Sequence, residues 1–124
     1  HRKWLVSIFA RSFPVGPAAS CFRMLLYNVT CNVDEAVADA WLFFMRSVHV
    51  PEVVATGCFV RSQICQLLDE EDNGGRTYAI QYYCPDKATL DRYQRDFAPG
   101  LRADMERRFP QQFVAFRTVL EVIE

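Results

Sequence analysis

An α+β fold in the order βαββαβ is predicted by three features of this 124-residue sequence. Several segments alternate apolar and polar residues, which is typical of half-buried strands. Two other segments repeat apolar residues every three or four positions, which is typical of amphipathic helices. An acidic turn that ends in two glycines joins the second and third strand-like segments. The length fits one hydrophobic core and excludes a second full domain.

The first strand and the first helix follow each other directly. Residues 25–33 alternate, with Tyr27 on one face and Asn28 on the other. Asp34 is a suitable N-cap residue, and apolar residues recur at helical spacing over positions 37–48. We predict that this helix ends before Pro51, because proline disfavours helical backbone in the residue that precedes it.

A hairpin, a second helix and a last strand complete the chain. Residues 58–69 and 76–84 predict the two strands of the hairpin. Apolar residues at helical spacing follow Pro85-Asp86, and Pro99-Gly100 should split or kink this second helix. Residues 113–123 predict the fourth strand. Right-handed connections then place both helices on one face of a four-stranded antiparallel sheet, which is the ferredoxin-like arrangement.

Composition and charge exclude several classes of protein. Fourteen basic and fifteen acidic side chains give a formal net charge of −1, so the chain is not a polycation that binds nucleic acid or membranes. Its five cysteines show no CxxC pair and no nearby histidine, which argues against a metal site and favours reduced thiols in a cytoplasmic protein.

The first 23 residues differ from the rest. They contain four basic residues and no acid, and they resemble a signal peptide only loosely because Arg11, Pro14 and Pro17 interrupt the apolar run. We expect residues 1–23 to be an upstream extension and residues 24–124 to form a single domain.

The sheet face opposite the helices carries an unusual mixture of residues. Alternation predicts that this face is both too apolar for a wetted surface and too polar for a dry core. A homodimer whose sheets face each other, as in dimeric α/β barrels, would account for this mixture, and a solvated face is the alternative. The predicted members are Asn28, Thr30, Phe59, Arg61, Gln63, Cys65, Thr77, Ala79, Gln81, Tyr83, Ala115, Arg117 and Val119.

Arginines and amides on this face suggest a ligand site. Arg61 and Arg117, beside Asn28, Gln63 and Gln81, could hold the carboxylate or phosphate of a small anionic molecule. The same arginines could instead pair with Asp69 or Glu121 of a second copy.

Two residues are candidates for proton transfer. His49 is the only histidine after residue 23, and Tyr83 belongs to the predicted sheet face. The alternative role for His49 is stabilisation of a helix C-terminus by charge and hydrogen bonding.

Binding of RNA is the less favoured interpretation, although RNA recognition motifs share the βαββαβ order. Thr77 occupies the position where such motifs have glycine, and Ile80 replaces a stacking aromatic residue. Residues 24–124 carry ten basic and fifteen acidic side chains, and such an acidic domain lacks favourable interaction with phosphates.

The chain resembles the bacterial domain of unknown function 4286 family from Met24 to its end. This resemblance implies a small cytoplasmic ferredoxin-like protein and supplies no activity, substrate or cofactor. The residues that carry it are Met24-Leu-Leu-Tyr-Asn-Val-Thr, Asn32-Val-Asp-Glu, Trp41-Leu, His49-Val-Pro-Glu-Val-Val-Ala-Thr-Gly57, Tyr78-Ala-Ile-Gln-Tyr82, Leu90-Asp-Arg-Tyr-Gln-Arg95, Ala98-Pro99 and Phe113-Val-Ala-Phe-Arg-Thr118.

The sequence therefore predicts a homodimeric binding or interaction module with no implied cofactor, metal, nucleic acid or membrane partner. The alternative is an oxygenase or isomerase of the dimeric α/β-barrel type, and the sequence does not decide between a binding protein and an enzyme.

Overall fold

The computed structural model describes residues 23–124 and contains the predicted order of strands and helices. The prediction that residues 1–23 are an upstream extension concerns residues outside the described range, except for Arg23. The elements are strand β1 (Leu25–Asp34), a 3-10 turn (Glu35–Val37), helix α1 (Ala38–Phe44), a π-helical turn (Met45–His49), helix α2 (Val50–Ala55), strands β2 (Arg61–Gln66) and β3 (Gly75–Cys84), helices α3 (Lys87–Asp96) and α4 (Ala98–Arg108), and strand β4 (Phe113–Glu121).

The four strands form one antiparallel sheet in the order β2-β3-β1-β4. This is the ferredoxin-like order, so the predicted fold class is confirmed. Strands β1 and β3 occupy the centre and pair over their whole lengths, from Leu25 opposite Cys84 to Asp34 opposite Gly75. Strands β2 and β4 are the two edges.

One hydrophobic core lies between the sheet and the helices. Trp41 of α1 is fully buried and stacks on Tyr78 of β3, with ring centroids 5.5 Å apart. Tyr93 of α3 packs edge-on against Tyr27 of β1 at 5.9 Å. Because both helical segments contribute to the same core, they cover the same face of the sheet. The second face, here called the open face, is covered by no helix of residues 23–124.

The first helical segment does not end before Pro51, so that prediction is wrong. It continues to Ala55, and Pro51 lies in the first turn of α2. A proline is tolerated there because a backbone N–H in the first turn of a helix has no intrahelical hydrogen-bond acceptor. The π turn holds an additional residue, so the next buried position after Met45 is Val50 rather than a residue three or four positions on.

The second helical segment is split as predicted, between α3 and α4 at Phe97. Asp86 caps α3, and its carboxylate accepts a 2.8 Å hydrogen bond from the Thr89 backbone N–H. Pro99 lies in the first turn of α4, where proline is favoured.

Phe59 does not lie on the open face, so its predicted position is wrong. Strand β2 begins only at Arg61, and Phe59 precedes it. Its ring is buried in the core, parallel to Tyr27 at 6.0 Å and edge-on to Tyr93 at 4.8 Å. Burial of a large aromatic side chain overrides the simple alternation that the sequence suggests.

Candidate functional site

Strand β4 places Arg117 on the helix-covered face of the sheet. Arg117 pairs with Val29 of β1, and the odd-numbered residues of β1, such as Tyr27 and Cys31, face the helices. Arg61 pairs with Tyr83 on the open face. The predicted site that joins Arg61 and Arg117 on one face is therefore wrong.

The error comes from the weak burial pattern of an edge strand. Both faces of β4 carry apolar residues, and Phe116 on the open face is as large as Phe113 on the helix face. Alternation alone cannot orient such a strand. Phe113 is the residue that decides, because its ring packs 6.4 Å from the buried Trp41 and draws Ala115 and Arg117 to the same side.

The predicted amides on the open face bond to one another. Gln63 donates to Gln81 at 2.7 Å, Gln81 donates to Asn28 at 3.1 Å, and Asn28 donates to Thr118 at 3.3 Å. These four residues, here called the amide row, are register partners and cross all four strands. Because each amide already donates to its neighbour in the row, these residues are not arranged as a cradle of donors around an anion.

Arg61 and Tyr83 are also engaged with each other on the open face. The guanidinium carbon of Arg61 lies 3.9 Å from the centre of the Tyr83 ring, which is a cation–π contact. Tyr83 does not line the cavity that contains His49. The two predicted proton-transfer candidates, His49 and Tyr83, are therefore not brought together.

A cavity of about 340 Å³ lies on the helix-covered side of the sheet, and we call it the helix-side cavity. Its residues come from β1, the π turn, β3, α3, α4 and β4. They are Tyr27, Val29, Cys31, Met45, His49, Ile80, Tyr82, Tyr93, Leu101, Arg102, Met105, Glu106, Phe113, Ala115 and Arg117.

The interior and the rim of this cavity differ in chemistry. The exposed lining residues are Arg102 and Glu106 of α4 and Arg117 of β4. The other lining residues are buried or half-buried, and most are apolar or aromatic. The cavity therefore opens to solvent between α4 and β4, through a rim that carries two guanidinium groups and one carboxylate.

His49 lines this cavity from the end of the π turn. Its Nδ1 is buried and has no hydrogen-bond partner within residues 23–124. Burial lowers the pKa of His49 to about 4, while the carboxylate of Asp104 raises it and the charge of Arg117 lowers it. The imidazole is therefore neutral at physiological pH, and its buried Nδ1 is left to interact with a molecule in the cavity.

The alternative role of His49 as a helix C-cap is wrong, because the helix continues for six residues through α2. His49 lies inside the helical segment, where no carbonyl ends are exposed to attract a cation.

Tyr27 contributes a hydroxyl group to the same cavity. Its oxygen accepts a 3.2 Å hydrogen bond from Arg102, whose guanidinium also donates to Gln94 at 2.7 Å. With its oxygen oriented in this way, the Tyr27 hydroxyl proton is available to a molecule in the cavity. The sequence did not identify Tyr27 as a candidate site residue. The only indication was that alternation placed Tyr27 on the face of β1 that meets the helices.

Cys31 lines the cavity as a packing residue. Burial raises the pKa of its thiol to about 12, so the thiol stays protonated and is a poor nucleophile. Within residues 23–124, no group of three or more His, Cys, Asp or Glu side chains is arranged to hold a metal ion. In the same range, every helix falls short of the length and apolarity needed to cross a membrane.

Comparison with known proteins identifies a family and a fold. The family model described as "Domain of unknown function (DUF4286)" matches residues 24–123. No functionally curated protein matches the sequence significantly.

Solved structures share the fold at low sequence identity. An ethyl tert-butyl ether (EthD) family protein from Bacillus halodurans is similar with a TM-score of 0.61 and 9% identity, over 80% of this chain and 99% of its own. HapK from Hahella chejuensis is similar with a TM-score of 0.59 and 15% identity, over 81% of this chain and 92% of its own. SnoaB from Streptomyces nogalater, a cofactor-independent oxygenase, is similar with a TM-score of 0.58 and 12% identity, over 83% of this chain and 95% of its own. At these identities the likeness shows a common ferredoxin-like fold.

Proposed function

Because this chain belongs to the DUF4286 family, a domain family of unknown function, we propose a function from geometry: it is an enzyme that moves a proton on a small molecule bound in the helix-side cavity. The observation that supports this proposal is the buried, unpartnered Nδ1 of a neutral histidine lining a cavity that opens to solvent. A buried polar atom without a partner is costly, and functional sites are where such atoms are found.

The proton-transfer step uses two residues of this chain. His49 accepts a proton from a carbon next to a carbonyl group, and the electron pair of the broken C–H bond moves toward the carbonyl oxygen. The Tyr27 hydroxyl donates a hydrogen bond to the enolate oxygen that forms, and Arg102 strengthens this donor through its bond to the Tyr27 oxygen. The apolar interior keeps water away from the enolate.

Two reaction classes begin with this step. Return of the proton to another carbon gives an isomerase. Transfer of electrons from the enolate to dioxygen gives an oxygenase, in which one oxygen atom of dioxygen becomes a new carbonyl oxygen on the deprotonated CH2 carbon and the other leaves as water with the two hydrogens of that carbon. An oxygen electrode separates the two classes, because only the second consumes dioxygen.

Deuterium exchange tests the proposal without knowledge of the natural substrate. In D₂O, we expect the protein to exchange the carbon-bound protons next to the carbonyl group of a simple ketone or 2-oxo acid, as measured by proton NMR. His49→Gln should slow this exchange by about a hundredfold or more, which is typical for loss of a general base. Tyr27→Phe should slow it by about tenfold, the value of one hydrogen bond.

Thermal unfolding of both variants shows whether they remain folded. The proposal would be contradicted if no carbonyl compound showed exchange, or if folded His49→Gln exchanged as fast as the natural protein.

We also infer that the protein is a homodimer through its open face. This face carries three exposed apolar side chains of β4, which are Val114 (69%), Phe116 (62%) and Leu120 (49%). Such a contiguous apolar patch on a sheet without a covering layer is typical of an interface. The amide row would fix the register of the two sheets, because amides placed against apolar residues would lose hydrogen bonds.

Light scattering after size exclusion tests the dimer. We expect twice the monomer mass for the natural sequence and the monomer mass for Phe116→Glu. Phe43→Glu is the matched control, because Phe43 is equally apolar and 73% exposed but lies on α1. A monomer at micromolar concentration, or equal dissociation in both variants, would contradict this inference.

Four cysteines of residues 23–124 are free thiols, which supports a reducing compartment and the proposal that the protein is cytoplasmic.

A further inference from the structure

The interior of the helix-side cavity is lined mainly by aromatic rings and thioethers, against which an aromatic ligand would pack. The rings of Tyr27 and Tyr82 lie 6.1 Å apart, and that of Tyr93 meets Tyr27 edge-on at 5.9 Å. Met45 and Met105 provide thioether groups, which pack well against aromatic rings. A volume of about 340 Å³ is at the small end of the range for small-molecule sites, so it fits one or two rings rather than a polymer.

The rim of the cavity offers one arginine that is free to bind an anion. Arg102 already donates to Tyr27 and Gln94. Arg117, in contrast, has no ion pair and no side-chain hydrogen bond within residues 23–124. A guanidinium group can bind a carboxylate through two parallel hydrogen bonds, and here it would do so beside a low-dielectric interior.

Charge couples this arginine to the proposed base. The positive charge of Arg117 is one of the causes that lower the pKa of His49. An anion bound to Arg117 would offset that charge, so His49 would be a stronger base beside an anionic molecule than beside a neutral one. The cavity thus favours proton transfer from an anionic substrate.

From this arrangement we infer that the substrates are aromatic carboxylic acids with an enolisable carbonyl group, held with the ring in the aromatic interior and the carboxylate on Arg117 at the rim. The inference rests on the proposed function and specifies its substrate class. The acidic carbon lies between the ring and the carboxylate, and His49 removes its proton and returns it, so that atoms and electrons balance without another reactant.

Three small carbonyl compounds separate the contributions of the ring and the carboxylate. Phenylpyruvate has both groups, phenylacetone lacks the carboxylate, and pyruvate lacks the ring. We expect kcat/KM for deuterium exchange, after subtraction of the buffer rate, to be higher for phenylpyruvate than for either other compound by about tenfold or more, the value of one charge-assisted hydrogen bond or one buried ring.

Arg117→Gln tests the role assigned to the rim. We expect this variant to reduce the ratio of kcat/KM for phenylpyruvate to that for phenylacetone by about fivefold or more. Arg95→Gln is the matched control, because it removes the same charge from α3 at a position that does not line the cavity. Arg95→Gln should leave the ratio unchanged.

A binding measurement separates the substrate class from the chemistry. We expect 3-phenylpropionate, which has the ring and the carboxylate but no carbonyl group, to raise the melting temperature of the natural protein. The same concentration should raise that of Arg117→Gln by less than half as much, and propionate should have little effect on either.

The outcomes distinguish the two proposals. If phenylacetone or pyruvate exchanges as fast as phenylpyruvate, or if Arg117→Gln keeps the preference, the substrate class is wrong while the proton-transfer function stands. If 3-phenylpropionate binds through Arg117 but no carbonyl compound exchanges, the proton-transfer function is wrong and the cavity is a binding site for aromatic acids. If neither exchange nor binding is observed, both are wrong.

Discussion

At the scale of single residues, burial determines which titratable groups can react. His49 and Cys31 line the same cavity, and burial shifts the pKa of each toward its neutral form. For a histidine the neutral form is the base, whereas for a cysteine it is the unreactive thiol. The same environment therefore keeps His49 in its unprotonated form and makes Cys31 inert.

The pKa of His49 predicts how stability changes with pH. Because the pKa is about 4 in the folded protein and 6.5 for an ordinary histidine, only the unfolded state binds this proton between those values. The free energy of unfolding should therefore decrease as the pH falls from 6.5 to 4, by about 1.4 kcal/mol per pH unit and about 3 kcal/mol in total. Asp104 and Arg117 are the charged groups that act on His49.

Denaturant unfolding at several pH values measures this contribution. His49→Gln should remove it, so that the free energy of unfolding of the natural protein minus that of the variant falls by about 3 kcal/mol between pH 6.5 and pH 4. Parallel pH profiles for the natural protein and the variant would show that His49 is not shifted.

Cysteine labelling tests burial directly. Cys65 is exposed on the open face, whereas Cys31, Cys58 and Cys84 are buried. In the monomeric Phe116→Glu variant, we expect iodoacetamide to modify Cys65 in the folded protein and the three buried thiols only after unfolding, because the reagent must reach the sulfur and meet a thiolate. Peptide mass spectrometry resolves the sites, and rapid native labelling of Cys31 would contradict the structure.

At the scale of elements, a close approach of two strands defines one position on the hairpin. A Cβ atom on Gly75 would lie 2.7 Å from the Val33 carbonyl oxygen and 2.7 Å from Asn32 Oδ1. Gly75→Ala should therefore lower the free energy of unfolding by about 1–3 kcal/mol, since the central strand cannot move away cheaply.

Gly100 provides the opposite case in helix α4. A Cβ atom there would meet nothing within 4 Å, so Gly100→Ala should raise the free energy of unfolding by about 0.5–1 kcal/mol through better helix formation. Urea unfolding measures both variants. Equal effects of the two substitutions would contradict the difference in packing.

The elements also show how far the sequence predicts the structure. The spacing of apolar residues predicted all four strands, and Pro99-Gly100 predicted that the second helical segment is split, which occurs at Phe97. The N-cap predicted at Asp34 makes no side-chain capping bond. It failed at Pro51, because a π turn cannot be recognised from helical spacing, and in β4, because a strand apolar on both faces has no preferred orientation. His49 was predicted as a candidate, but the grouping of Tyr27, Arg102 and Arg117 around it depends on that orientation and needed the structure.

At the scale of the whole molecule, the two faces of the sheet carry different features. The helix-covered face forms the core and the helix-side cavity, and the open face carries the amide row and the exposed apolar residues of β4. Substitutions should therefore alter the proposed ligand binding and the proposed assembly independently. Arg117→Gln should leave the oligomeric state unchanged, since Arg117 does not lie on the open face.

Assembly should also appear in thermal unfolding. If folded protomers associate, the melting temperature rises with protein concentration, by about 3–6 °C for each tenfold increase in the range where dimers dissociate. Phe116→Glu should remove this dependence and Phe43→Glu should not. Calorimetric scans at three concentrations measure it, and a constant melting temperature for the natural protein would contradict association.

The π turn from Met45 to His49 has a further consequence for the proposed base. Deletion of one residue from this turn would restore a continuous α-helix and rotate everything on one side of it by about 100° relative to the other. Either the imidazole or the anchoring rings of Trp41 and Phe44 would then point away from the sheet. The direction in which the His49 side chain points is therefore set by the number of residues in this turn. A substitution keeps that number, whereas a single deletion changes it.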